Sequence, residues 1–197
     1  MQINNSGAGP SLRESFERIR SRFRDPEFLN CRGLGNEVPF FVYAYDAARE
    51  LEVRELTDAL VRDSVEGRLP CNVVCRDLWD VLLKICEEED VIDDMADLER
   101  DEGPDELLSA VQEIATPEAF VGAMDFSPHE RGRDVLLITG VGKVYPFVRA
   151  HAVMETAQQL FEDIPVVLMY PGVFDGRSLR LFGRLQDGNY YRAFSLI

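Results

Sequence analysis

Two apolar runs joined by a helical stretch constrain this 197-residue chain more than any other feature. The run 135–138 is aliphatic throughout and leads into a glycine turn, Thr139-Gly140-Val141-Gly142. Across 145–161, Phe147, Val148, Val153, Met154, Ala157, Leu160 and Phe161 recur near helical spacing. Asp163, Ile164 and Pro165 interrupt that pattern, and a second apolar run, 166–170, begins. Strands that are apolar at successive positions are buried on both faces, the habit of parallel strands covered by helices. Residues 134–172 therefore predict a βαβ unit.

The remaining elements fit around that unit. Ser11 and Glu14 form a capping-box pattern, and Leu12, Phe16, Ile19 and Phe23 give 11–23 one apolar face. Arg13, Arg18, Arg20, Arg22 and Arg24 cover its other faces, as a solvated surface or as a contact for an acidic one. Pro26 ends that helix. The aromatic run 40–45 reads as a strand, and Asp46 caps a helix over 47–66 with Leu51, Leu56, Ala59 and Leu60 inward. Gly67 and Pro70 close it. A short strand at 72–75 follows, then a helix starting at Asp77. Thr116-Pro117-Glu118 combines a cap, a first-turn proline and a first-turn acid, which marks another helix start. Near the C-terminus, Asp187-Gly188 separates the strand-like runs 179–185 and 190–196, the pattern of a tight antiparallel hairpin. The expected fold class is α/β, with a mostly parallel central sheet, helices on both faces and an antiparallel C-terminal hairpin. Residues 1–10 read as a disordered tail, and 11–197 as one α/β domain with an acidic helical insertion near 87–126.

Charge narrows the classes of function. The chain carries a net charge of -15, and 87–106 holds twelve acids against one base, Arg100. Such a balance repels nucleic-acid phosphates and anionic lipid, so neither direct nucleic-acid binding nor a membrane is expected. Met95, Leu98, Leu107, Leu108, Val111 and Ile114 punctuate the acidic stretch, so short helices are expected there. Their acids are either a solvated face or a docking surface for a basic partner. No apolar run reaches the roughly 20 residues of a membrane span, and residues 1–11 lack the pattern of a secretory signal. Cys31, Cys71, Cys75 and Cys86 lack the paired spacing of a zinc site, so no metal is expected and reduced core thiols in the cytoplasm are.

The turn at Gly140, Gly142 and Lys143 stands where a phosphate loop would, after a buried strand and before a helix. It is a poor nucleotide loop. Val144 occupies the place of the magnesium-binding hydroxyl, Leu137 that of the first glycine, and the run 166–170 ends without an acid. The glycine-bearing stretch 28–37 precedes a strand and so fails as a dinucleotide fingerprint. His129 and His151 are the only histidines, and His151 has no acid or thiol at a motif spacing. No catalytic residue and no cofactor is assigned. If the strands at 40–45, 135–139 and 166–170 run parallel, their C-terminal ends share one edge, where open α/β sheets bind. Asp46, Gly140, Gly142, Lys143, Asp175 and Arg177 would gather there as a partner- or anion-binding surface.

Three strings carry a resemblance: FLNCRGLGNEVPFFVYAYD, VLLITGVGKVYPFVRAH and VVLMYPGVFDGRSLRLFGRLQDGNYYRAF. Together they resemble the BrxB family of bacteriophage-exclusion (BREX) defence operons, over residues 28–194, most specifically 170–194. The resemblance implies a cytoplasmic defence component working beside a DNA methyltransferase, a large ATPase and a PglZ-type protein, the last its expected physical partner. It implies no catalytic residues to carry over. The expected role is a non-catalytic interaction subunit; the alternative is a degenerate nucleotide- or anion-binding regulatory domain on the Gly140–Lys143 turn.

Overall fold

The two apolar runs form neighbouring parallel strands, as their composition requires. The computed structural model describes residues 10–32, 38–186 and 193–197. Its strands are β1 (Phe40–Tyr45), β2 (Asn72–Asp77), β3 (Asp134–Thr139), β4 (Val166–Phe174), β5 (Leu179–Leu181), β6 (Leu185–Gln186) and β7 (Phe194–Ser195). The sheet runs β2-β3-β4-β1-β7, with every pair along this path parallel.

From β1 the chain crosses to the far edge at β2, then returns stepwise through β3 to β4. Right-handed crossovers running in opposite directions place their helices on opposite faces. One face carries α1 (Leu12–Arg22), α2 (Pro26–Leu29) and α3 (Glu50–Val65); the other carries α4 (Leu78–Glu88), α5 (Ile92–Glu102), α6 (Pro104–Ile114), α7 (Pro117–Met124), α8 (Val141–Val144) and α9 (Ala150–Ala157). The pleat divides the strand residues between two cores. Phe41, Tyr43, Val135, Leu137, Val167 and Met169 pack under the first set of helices. Phe40, Val42, Leu136, Ile138, Val166, Leu168 and Tyr170 pack under the second.

Local signals explain the helix starts. The capping box on α1 forms: the Glu14 amide donates to Ser11 Oγ at 3.3 Å and the Ser11 amide to Glu14 Oε2 at 2.8 Å. Leu12, Phe16 and Ile19 are buried, and Phe16 meets Tyr43 edge-on with ring centroids 5.8 Å apart. Two of the α1 arginines turn inward. Arg20 pairs with Asp63 of α3 at 2.8 Å, and Arg22 lies over the Phe28 and Phe41 rings. The Arg20 and Arg68 guanidiniums hold the Asp63 carboxyl below its usual range. Asp46, Asp77 and Thr116 cap the segments that follow them.

Three details differ from the sequence reading. On α3 the buried stripe is Val53, Thr57 and Leu60, while Leu51 is exposed. Residues two apart on a helix point to nearly opposite sides, so a stripe through Val53 turns Leu51 outward. The β3–β4 crossover is two helices, α8 and α9, not one over 145–161. Pro146 has no N–H for the helix and disfavours helical backbone at Tyr145, which is extended. The C-terminal ribbon is antiparallel, but β5 pairs with both the end of β4 and β6, while β7 returns to the main sheet beside β1. Phe182 and Gly183, both at positive φ, make the β5–β6 turn. The turn expected at Asp187-Gly188, residues 1–9 of the expected tail and Gly33 and Gly35 of the loop lie outside the described residues. No helix among the described residues is long and apolar enough to cross a membrane.

Candidate functional site

At the C-terminal edge of the sheet, β1 leads to α3 on one face, whereas β2 and β3 lead to α4 and α8 on the other. These exits part to opposite faces on the two sides of β4, where open sheets form a crevice. A cleft of about 400 Å³ lies at this edge, within the size range of small-molecule sites. Cys75, Thr139 and Met169 line it from the strands. Glu50, Arg54 and Asp58 line it from successive turns of α3, Asp80 from α4 and Lys143 from α8.

Asp77 organises this edge. Its Oδ1 accepts the Trp79 amide at 2.9 Å, capping α4. Its Oδ2 accepts from Lys143 Nζ at 2.5 Å and from Thr139 Oγ1 at 3.4 Å. Gly140 makes room for it: φ is +77°, and a Cβ there would stand 2.2 Å from Asp77 Oδ1. The glycine is therefore required twice, by backbone conformation and by space. Beside this group, the Tyr45 hydroxyl donates to Glu50 Oε2 at 2.5 Å. Burial, and then the Glu50 carboxylate, push the Tyr45 phenol well above its usual range.

The lining is mixed in charge. Four carboxylates (Glu50, Asp58, Asp77 and Asp80) face two bases, Arg54 and Lys143. An anion approaching Lys143 meets the Asp77 carboxylate already in place, and α8 is a single turn of four residues. The lining residues include a thiol, Cys75, which burial pushes up to about 11. Burial also pushes Cys71 up to about 11, and all four cysteines are free. Because only the thiolate attacks, Cys71 and Cys75 in the folded protein are expected to react with iodoacetamide at neutral pH roughly a hundred-fold slower than an unburied cysteine. Peptide mapping by mass spectrometry checks this, and labelling at the rate of the unfolded chain would contradict it.

The structure brings together only some of the six residues expected at the edge. Gly140 and Lys143 stand at the cleft, and Gly142 lies in an adjoining hollow with Lys143, Pro171 and Phe182. Asp46 caps the turn after β1, accepting the Ala48 amide at 3.0 Å, and opens on a different hollow with Tyr45 and Arg49. Asp175 folds its own turn: it accepts the Arg177 and Ser178 amides at 3.0 and 2.8 Å and the Ser178 hydroxyl at 2.8 Å. These bonds hold its carboxyl below the usual range. β4 runs past Pro171 to Phe174, so Asp175 and Arg177 are carried beyond the cleft.

Sequence reasoning missed Glu50, Arg54, Asp58 and Asp80, and saw in Asp77 only a helix cap. The spacing of Glu50, Arg54 and Asp58 by four was the available signal, since it sets three charged residues on one face of α3. His129 is a loop staple near the start of β3. It meets Asp125 at 3.0 Å and packs on Phe126 and Phe161, while Ser127 bonds the same aspartate and so forms no nucleophile–base pair. Among the described residues no group of histidines, cysteines and acids is arranged to hold a metal ion.

The family model described as "BREX protein BrxB" matches residues 74–196, more than half of the chain. A "BREX protein BrxB" of Bacillus cereus (strain H3081.97) is 31% identical over 188 residues, covering 94% of this chain and 97% of that one. Another, of Escherichia coli O9:H4 (strain HS), is 28% identical over 191 residues, covering 95% and 92%. No solved structure matches. Matches that run nearly end to end on both sides take in the cleft as well as the sheet, and the chain belongs to the BrxB family of BREX defence systems.

Proposed function

We propose that this chain is a non-catalytic interaction subunit of a BREX-type anti-phage complex, with a PglZ-type protein of the same operon as its partner and the C-terminal sheet edge as a working surface. The observation that carries this reading is how the cleft satisfies its own inner charges. Lys143 is paired with Asp77 and Tyr45 with Glu50, so the inner polar groups of the cleft are engaged with one another. Arg54, Asp58 and Asp80 remain exposed on the rim, where charges select and orient a partner. The net charge of -15 weighs against DNA as the direct contact.

Arg54→Glu combined with Asp58→Lys reverses the rim without touching the buried pairs. In a variant whose melting temperature matches wild type, affinity for the PglZ-type protein is expected to fall by about ten-fold or more, with a matching loss of phage exclusion. Wild-type affinity and wild-type exclusion in that variant would overturn the edge as the contact surface. The second reading, a degenerate nucleotide- or anion-binding domain, rests on Lys143 and the Gly140 turn. It predicts saturable binding of ATP or GTP that is lost in Lys143→Met; calorimetry without saturable binding would exclude it.

A further inference from the structure

The helical hairpin of α5 and α6 carries a second surface, which shares no lining residue with the edge cleft. Val91, Met95 and Leu98 on one side, with Leu107, Val111 and Ile114 on the other, line an apolar groove of about 140 Å³. On each helix these positions follow the i, i+3 or i+4, i+7 rule of a single stripe. The stripes are only partly covered: α5 has no buried residue, and α6 has only Val111. The groove has room for inserted side chains, not for a whole helix.

Acids surround it. Asp94 stands in the groove wall. Asp101 and Glu102 continue the α5 stripe one turn beyond Leu98, and Asp105 and Glu106 occupy the first turn of α6. The sole base of the block, Arg100, is already engaged by Asp97 and by the Ala96 carbonyl oxygen. A long run of carboxylates with a single cation among them repels itself, and a cationic partner relieves that repulsion. The same charge turns away nucleic acid and anionic lipid, and a second copy would bring the same acids to the same face.

We propose that the groove between α5 and α6 takes an amphipathic helix of a partner protein, one whose apolar stripe carries leucine-sized side chains and whose flanks carry lysines and arginines. Such a helix seats its stripe residues between the two stripes of the groove and its basic flanks against Asp94, Asp101 and Glu102, the usual helix-in-groove arrangement. Met95 lends the groove walls the adaptability to fit unlike partners. This surface stands whether or not a PglZ-type protein occupies the sheet edge.

The test uses the full chain and two labelled synthetic peptides of about 18 residues, roughly five helical turns. Both contain only leucine and lysine in equal proportion; one sets the leucines in a helical stripe, the other scrambles them. By fluorescence anisotropy the chain is expected to bind the striped peptide about ten-fold or more tightly than the scrambled one. Leu98→Glu should abolish the preference, and Leu107→Gln provides a second variant should Leu98→Glu unfold. Neutralising Asp94, Asp101 and Glu102 as Asn, Asn and Gln should weaken both peptides and flatten the salt dependence. Equal binding of the two peptides, or a preference that survives both groove variants, overturns the proposal. So does a wild-type dimer in sedimentation that Leu98→Glu dissociates, which would make a second copy the occupant. Binding of phosphatidylglycerol vesicles in competition with the peptide would likewise reassign the face to lipid.

Discussion

Asp77→Ala is expected to lower the unfolding free energy by about 2–3 kcal/mol, combining a lost helix cap with a lost partner for a half-buried ammonium. The carboxylate caps α4 through Trp79 and holds Lys143 and Thr139. A cap alone is worth about 1 kcal/mol. The ion pair adds less than a fully buried one would, because the Lys143 side chain keeps 30% of its exposure and Asp77 19%. Asp77→Asn separates the two contributions: asparagine still accepts from the Trp79 amide but brings no charge to Lys143, so it should recover about 1 kcal/mol. Urea unfolding of the three proteins checks this. An alanine variant as stable as wild type would mean that Asp77 organises nothing, and equal losses for Ala and Asn would assign the whole effect to the charge.

Gly140→Ala is expected to destabilise by about 2–4 kcal/mol, through left-handed backbone and collision together. The left-handed conformation costs alanine about 1–2 kcal/mol on its own. The new methyl would also stand 2.2 Å from Asp77 Oδ1, so the carboxylate must leave Trp79 or Lys143. The two substitutions therefore share a cost and should not add. In the Asp77→Ala background, Gly140→Ala should cost less, mainly the backbone part of about 1–2 kcal/mol, with the Leu78 amide nitrogen 3.0 Å from the new methyl as the remaining close contact. Full additivity in the double variant would show that the methyl and the carboxylate do not compete for the same space.

Much of the fold was legible because its signals are local. Caps were readable one residue at a time: Ser11, Asp46, Asp77 and Thr116 each accept the amide their type predicts. The buried strands declared themselves by the unbroken apolar runs 135–138 and 166–170, where both faces of β3 and β4 are covered. Strand order did not declare itself. Nothing near Phe194 indicates that it lies parallel to Phe41, because that pairing spans most of the chain and depends on what the rest of the sheet leaves open. The same holds for the site. The Gly140 turn and Lys143 could be placed at an edge from topology alone, whereas Glu50, Arg54 and Asp58 looked like any solvated helix face. Only the crossing of α3 over the ends of the central strands brings them opposite Asp77 and Lys143. Asp175, by contrast, was legible as a turn residue, and its bonds stay within its own turn.

The order of strands has a consequence for how the chain leaves the ribosome. β2 and β3 can pair once both have emerged, but β1, made earlier, has its parallel neighbours only in β4 and β7, both near the end of synthesis. Until β4 arrives as the central wedge, β1 and β3 present unpaired aromatic and aliphatic edges to whatever surrounds them. The β2–β3 pair at one edge forms first, and β4 then joins it to β1. Unpaired strands of this kind are open to aggregation until β4 is made.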